Sequence, residues 1–168
     1  MRIYEGSPRQ DFEEVLRSIG AFLDQRGMRE ISLTEIPDGF IVQALIPNQA
    51  ESAAWSEAVG QIRKETFTFL DDDIARFMEE AAARRSGGSA PEPDFTSAGF
   101  YEKTLRVIGQ YIDEQKPRDI FFFEQEGAFV VRLLMPIRSG ARHVLAEFTQ
   151  EDLEGMVSQA DHRHRPVP

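Results

Sequence analysis

The sequence predicts an α+β fold: a tandem duplication of a helix, three-stranded antiparallel sheet, helix unit, with its two copies packed in pseudo-twofold symmetry. Three observations carry this expectation. Residues 11–47 lie over residues 100–136 at a constant offset of 89 with no gap, and thirteen of the 37 positions are identical. Both segments open with apolar residues at helical spacing, then continue as two alternating runs separated by turn residues. A sheet with helices on one face buries both apolar surfaces at once.

The matched positions include Leu16 with Leu105, Gly20 with Gly109, Asp24 with Asp113, Glu35 with Glu124 and Pro47 with Pro136. Beyond the prolines the offset falls to 79, laying Phe69 and Asp73 over Phe148 and Asp152. The expected organisation is one unit over residues 1–85 with an insertion around 48–64, a linker over 86–99 rich in Gly, Ser and Pro, and a second unit over 100–165.

In the first unit, Phe12, Val15, Leu16, Ile19, Phe22 and Leu23 form one helical stripe; Ser7-Pro8-Arg9-Gln10 suits its start and Gly27 its end. Leu105, Ile108, Tyr111 and Ile112 repeat the stripe. Gly20 and Gly109 inside these helices cost up to about 1 kcal/mol each relative to Ala, which points to close approach of a strand. Strands follow over 29–36 and 40–46 around Pro37-Asp38-Gly39, and over 118–125 and 129–135 around Glu126-Gly127. A third β-like run covers 65–69 and 144–148, and closing helices begin after Asp71 and Thr149 with acidic first turns that suit the helix dipole.

With 41% apolar and 10% aromatic residues, the 168-residue chain has material for a packed core. Its net charge of −10 argues against a nucleic-acid footprint and against an anionic membrane surface. The absence of cysteine excludes disulfides, thiol nucleophiles and thiolate metal sites. No apolar run approaches the roughly 20 residues of a membrane-spanning helix, and Met1–Ser7 lacks the apolar region of a secretory leader. A cytoplasmic protein is expected.

Strand parity assigns Ile31, Leu33, Phe40, Val42, Ala44 and Ile46, with Ile120, Phe122, Phe129, Val131, Leu133 and Met135, to the helix side. The opposite side holds Ser32, Thr34, Ile41, Gln43 and Leu45 in the first copy. In the second it holds Phe121, Phe123, Val130, Arg132 and Leu134, with Leu145 alongside. These five are the candidate partner or interface residues, because an apolar patch of this size marks a buried surface. Either the two sheets stack face to face, or one continuous sheet forms and a second subunit covers the patch.

No residue pattern specifies a reaction, and no catalytic residue, metal ligand or cofactor is assigned. Asp71-Asp72-Asp73 reads as helix capping rather than a cation site. His162 and His164 read as a solvated tail, and Glu13–Arg17 and Glu102–Arg106 as i, i+4 pairs on exposed helix faces. Glu35 and Glu124 form a carboxylate pair if the copies meet at the hairpins; otherwise they are charges of edge strands.

The order helix, three strands, helix resembles double-stranded RNA-binding domains in topology. The basic cluster of that family falls here on Asp71-Asp72-Asp73 and Gln150-Glu151-Asp152, where RNA phosphates are repelled, so its function is not carried over. Small acidic bacterial secretion chaperones offer a second analogy in architecture, without a shared motif. The expectation is a non-enzymatic protein-interaction or regulatory module that binds a protein partner or forms a homodimer. The alternative is a small-molecule binder or enzyme with its site in the seam between copies, with Trp55 and Gln43 as candidate ligand contacts.

Overall fold

The computed structural model describes residues 11–47, 62–86 and 100–163. The elements run α1 (Phe12–Gln25), β1 (Arg29–Ile36), β2 (Gly39–Pro47), β3 (Ile62–Leu70) and α2 (Asp71–Ser86), then α3 (Phe100–Gln115), β4 (Asp119–Gln125), β5 (Ala128–Ile137), β6 (Gly140–Phe148) and α4 (Gln150–Arg163). The fold is α+β, with four helices and one six-stranded antiparallel sheet. Ser7–Gln10, most of the 48–64 insertion, and the linker after Ser86 lie outside the described residues.

Strand order is β3-β2-β1-β4-β5-β6. Of the two expected arrangements the continuous sheet forms, and face-to-face stacking does not. β1 and β4 meet in a short antiparallel ladder that pairs Ser32, Leu33 and Thr34 with Phe123, Phe122 and Phe121. Both third strands form and run longer than the sequence suggests, with β3 paired to β2 from Gly39 to Pro47 and β6 paired to β5 from Phe129 to Ile137. The first hairpins close on two residues each, Pro37-Asp38 and Glu126-Gly127. Glu126 and Gly127 both take positive φ, as a tight hairpin loop of matching twist requires.

All four helices belong to one side of the sheet. Ile31, Leu33, Phe40, Val42, Ala44, Ile120, Phe122, Phe129, Val131 and Leu133 are buried beneath them, as parity predicts. α1 and α3 pack against each other over the centre, with α2 beside α1 and α4 beside α3. Phe22, Phe69 and Phe77 interlock where α1, β3 and α2 meet, their ring centroids 4.8–5.1 Å apart. Tyr111 meets Phe148 in the same way on the other flank.

Gly20 and Gly109 correct one expectation. The close neighbour of each is the other helix, not a strand: a Cβ on Gly20 would sit 2.6 Å from the Tyr101 carbonyl carbon, and one on Gly109 would sit 2.6 Å from the Phe12 carbonyl oxygen. The contact sets the hydrogen bonding at the helix ends. Asp11, the residue before α1, makes no side-chain cap. Instead Asp113, near the end of α3, accepts from the amides of Phe12 and Glu13 at 2.8 and 3.0 Å. Asp24, near the end of α1, accepts from the amides of Tyr101 and Glu102 at 3.0 and 2.9 Å. Gly27, at φ 62°, ends α1, with Met28 and Gly27 amides donating to the carbonyls of Leu23 and Asp24.

The charged pairs of these helices also reach further than their spacing suggests. Arg17 meets Glu102 at 3.4 Å and Arg106 meets Glu13 at 3.1 Å, each crossing from one helix to the other. Among the described residues no helix is long and apolar enough to cross a membrane.

Candidate functional site: the helix-free sheet face and the Glu35 cleft

Among the described residues no helix packs on the second face of the sheet. Its register aligns side chains in rows across the strands. One row runs Thr68, Ile41, Thr34, Phe121, Arg132, Leu145; the next runs Thr66, Gln43, Ser32, Phe123, Val130, Glu147. Leu134 continues the apolar set and pairs with His143.

Polarity changes abruptly along each row at the β1–β4 junction. On the β1–β3 side, Thr34, Thr66 and Thr68 are exposed among half-buried Ser32, Ile41, Gln43 and Leu45. On the β4–β6 side, Phe121, Phe123, Val130 and Leu134 share the surface, and Leu145 is 68% exposed, the most open of the large apolar side chains among the described residues. An outward sheet face is ordinarily polar, so this half is the anomaly. The Phe121 and Phe123 rings lie 5.8 Å apart, and the Arg132 guanidinium stands 4.9 Å over Phe121.

The five predicted interface residues, Phe121, Phe123, Val130, Arg132 and Leu134, thus occupy neighbouring positions on one face. Gln43 lies on the same face, next to Ser32 in the row that continues to Phe123. Trp55 lies outside the described residues.

The seam between the two halves has a cleft of about 760 Å³ at one end of the β1–β4 ladder, with Glu35, Phe12 and Lys116 in its walls. Gln43 is not among its lining residues. The sequence places an alternative site in the seam and singles out Glu35, but does not supply the other walls of this cleft, which come from segments distant in sequence.

Glu35 and Glu124 do not form a pair, and neither is on an edge strand. They mark opposite ends of the central ladder: Glu124 faces the Ile31 amide, which donates to it at 3.3 Å, while Glu35 faces the Ile120 amide. The two ends differ in one group. The Tyr101 hydroxyl also donates to Glu124, whereas Glu35 has a buried Oε2 with no hydrogen-bond partner among the described residues. Burial pushes the Glu35 carboxyl up from 4.5 to about 7, and neighbouring Asp119 adds to the shift. Burial, with the adjacent Glu124 carboxylate, likewise holds the Tyr101 phenol well above its ordinary range.

Asp73 and Asp152 act as caps, accepting from the amides of Leu70 and Thr149 at 3.1 and 2.9 Å. His143 is exposed at the sheet edge. The His162 side chain and all of His164 lie outside the described detail. Among the described residues no group of three or more His, Cys, Asp or Glu is placed to hold a metal ion. Compared with protein-family models, with curated proteins and with solved structures, the chain matches none.

Proposed function

We propose that this chain is a non-enzymatic interaction protein built by internal duplication, and that it pairs with a second copy of itself through the apolar half of its helix-free sheet face. The observation that carries the reading is the clustering of Phe121, Phe123, Val130, Leu134 and Leu145 on a surface that none of the described helices covers, with Leu145 68% exposed. A second copy suits this patch because it carries charges of both signs. Arg132 and Glu147 stand on the same face in adjacent strands, and a two-fold axis brings each opposite the other's counterpart in the partner copy.

The duplication draws support from reciprocal contacts at the offset of 89. Asp24 caps α3 as Asp113 caps α1, Gly20 receives α3 as Gly109 receives α1, and Arg17–Glu102 is mirrored by Arg106–Glu13. On this reading the units at 1–85 and 100–165 are related by a pseudo-twofold axis through the β1–β4 ladder. The first copy kept a polar outward face, and the second gained the binding surface.

Sedimentation velocity tests the pairing. The wild-type chain is expected at twice its 19.1 kDa mass. Arg132→Glu and Glu147→Arg each give monomer, and the double variant restores the dimer. Phe121→Ser with Phe123→Thr gives a folded monomer. A wild-type monomer across the micromolar range, or single charge variants that remain dimeric, overturns the proposal.

A further inference from the structure

The β1–β4 ladder is short, with three registered pairs, and a glutamate prolongs it at each end. At one end Glu124 takes the Ile31 amide and is held in turn by the Tyr101 hydroxyl. At the other, Glu35 takes the Ile120 amide, and Phe12 stands 89 positions before Tyr101, where its ring supplies no hydroxyl. Glu35 Oε2 is left buried, without a partner among the described residues, beside an open cleft.

We infer that Glu35 is a proton-operated latch on the seam between the two halves: neutral, it closes the ladder beside the cleft, and ionised, it loosens that end while the Glu124–Tyr101 end holds. A buried carboxylate with an unmet oxygen draws in water or moves outward, and a protonated one tolerates the site. The cleft supplies the water and the room.

Burial favours the neutral form; among the described groups Asp119 adds to it and the Ile120 amide opposes it. Asp119 on β4 adjoins Glu35, Asp113 reaches the cleft from α3, Asp11 from the residue before α1, and Asp71 from the start of α2. Lys116 and Arg118, from the α3–β4 connection, are the opposing cations in the walls. Burial also raises Asp113 and Asp71, so the wall stays poor in compensation for a further negative charge.

Two measurements on the full chain test the latch. A ¹³C titration of the Glu35 carboxyl is expected to have its midpoint near 7, and Phe12→Tyr, by supplying the missing donor, lowers it. Amide exchange corrected for intrinsic rates is expected to show Ile120 opening roughly tenfold or more between about pH 5 and 7.5. The Ile31 amide, at the Glu124 end, stays level over the same range, and Glu35→Gln abolishes the change at Ile120. A Glu35 midpoint in the ordinary range near 4.3, or Ile120 and Ile31 opening in parallel, overturns the inference.

Discussion

Asp24, in the last turn of α1, accepts a hydrogen bond at 3.0 Å from the amide of Tyr101, in the first turn of α3. The first amides of a helix have no partner within it, so α1 and α3 each complete the other's start. The buried position of Asp24 makes the bond consequential. Asp24→Ala leaves the Tyr101 and Glu102 amides without their acceptor and is expected to destabilise the fold by about 1–2 kcal/mol. Asp24→Asn, which keeps one acceptor oxygen, costs less. Urea unfolding of the two variants measures the difference, and equal losses would show that the carboxylate adds nothing beyond its shape.

The same helix pair makes Gly20→Ala and Gly109→Ala informative, because helix propensity and packing oppose each other. Propensity favours Ala by about 1 kcal/mol. The added Cβ, however, falls 2.6 Å from backbone atoms of the facing helix, which cannot swing aside as a side chain can. Overpacking of this kind costs about 1–3 kcal/mol, so both variants are expected to melt below wild type. An unchanged or raised Tm would mean that α1 and α3 separate without loss.

Face parity was legible because a strand reports it locally. Ile31 and Leu33 alternate with polar Ser32 and Thr34, Phe40 and Val42 share one parity in β2, and each is buried where that parity puts it. The predicted ends of β2 and β5 fell short for a related reason: Pro47, Pro136 and Ile137 interrupt the alternation in sequence, yet ladder partners in β3 and β6 include these residues in the strands. Neighbour identity was not legible. Glu35 read as an edge charge, although β1 is central, since strand order follows from which segments find each other in space. Glu13 and Arg17 have the spacing of a pair within one helix, and nothing local announces that Gly20 and Gly109 bring a second helix within reach of both. The candidate interface was legible as a list of residues on one face. The Glu35 cleft was not, because its walls assemble from both halves of the chain.

Thr104 gives a prediction of opposite sign. It is fully buried in α3, and its hydroxyl has no hydrogen-bond partner among the described residues. The residue 89 positions earlier, Val15, is also fully buried. A buried unpaired hydroxyl costs about 1–3 kcal/mol. Thr104→Val keeps the branched shape, removes that cost and is expected to stabilise the chain by about 1 kcal/mol or more in urea unfolding. A loss of stability would reveal an acceptor for the hydroxyl.

The Glu35 carboxyl makes stability depend on pH in the sense opposite to a salt-bridged acid. Its folded value, about 7, lies above the unfolded value of 4.5, so between these two the native state binds the proton more tightly. Stability is therefore expected to fall as pH rises from 4.5 to 7 and to level off above it. At about 1.4 kcal/mol per unit, the shift corresponds to at most about 3.5 kcal/mol, and the partial exposure of Glu35 brings the expected effect to roughly 1–2 kcal/mol. The small upward shifts of Asp71 and Asp113, both led by burial, have the same sign at lower pH, and the lowered Asp152, held by the Thr149 amide and hydroxyl, opposes them. Glu35→Gln removes the Glu35 contribution alone, so the test is the difference between variant and wild type in urea unfolding across this range. The variant is expected to gain on wild type as pH rises. Parallel curves would mean that Glu35 titrates alike in the folded and unfolded chain.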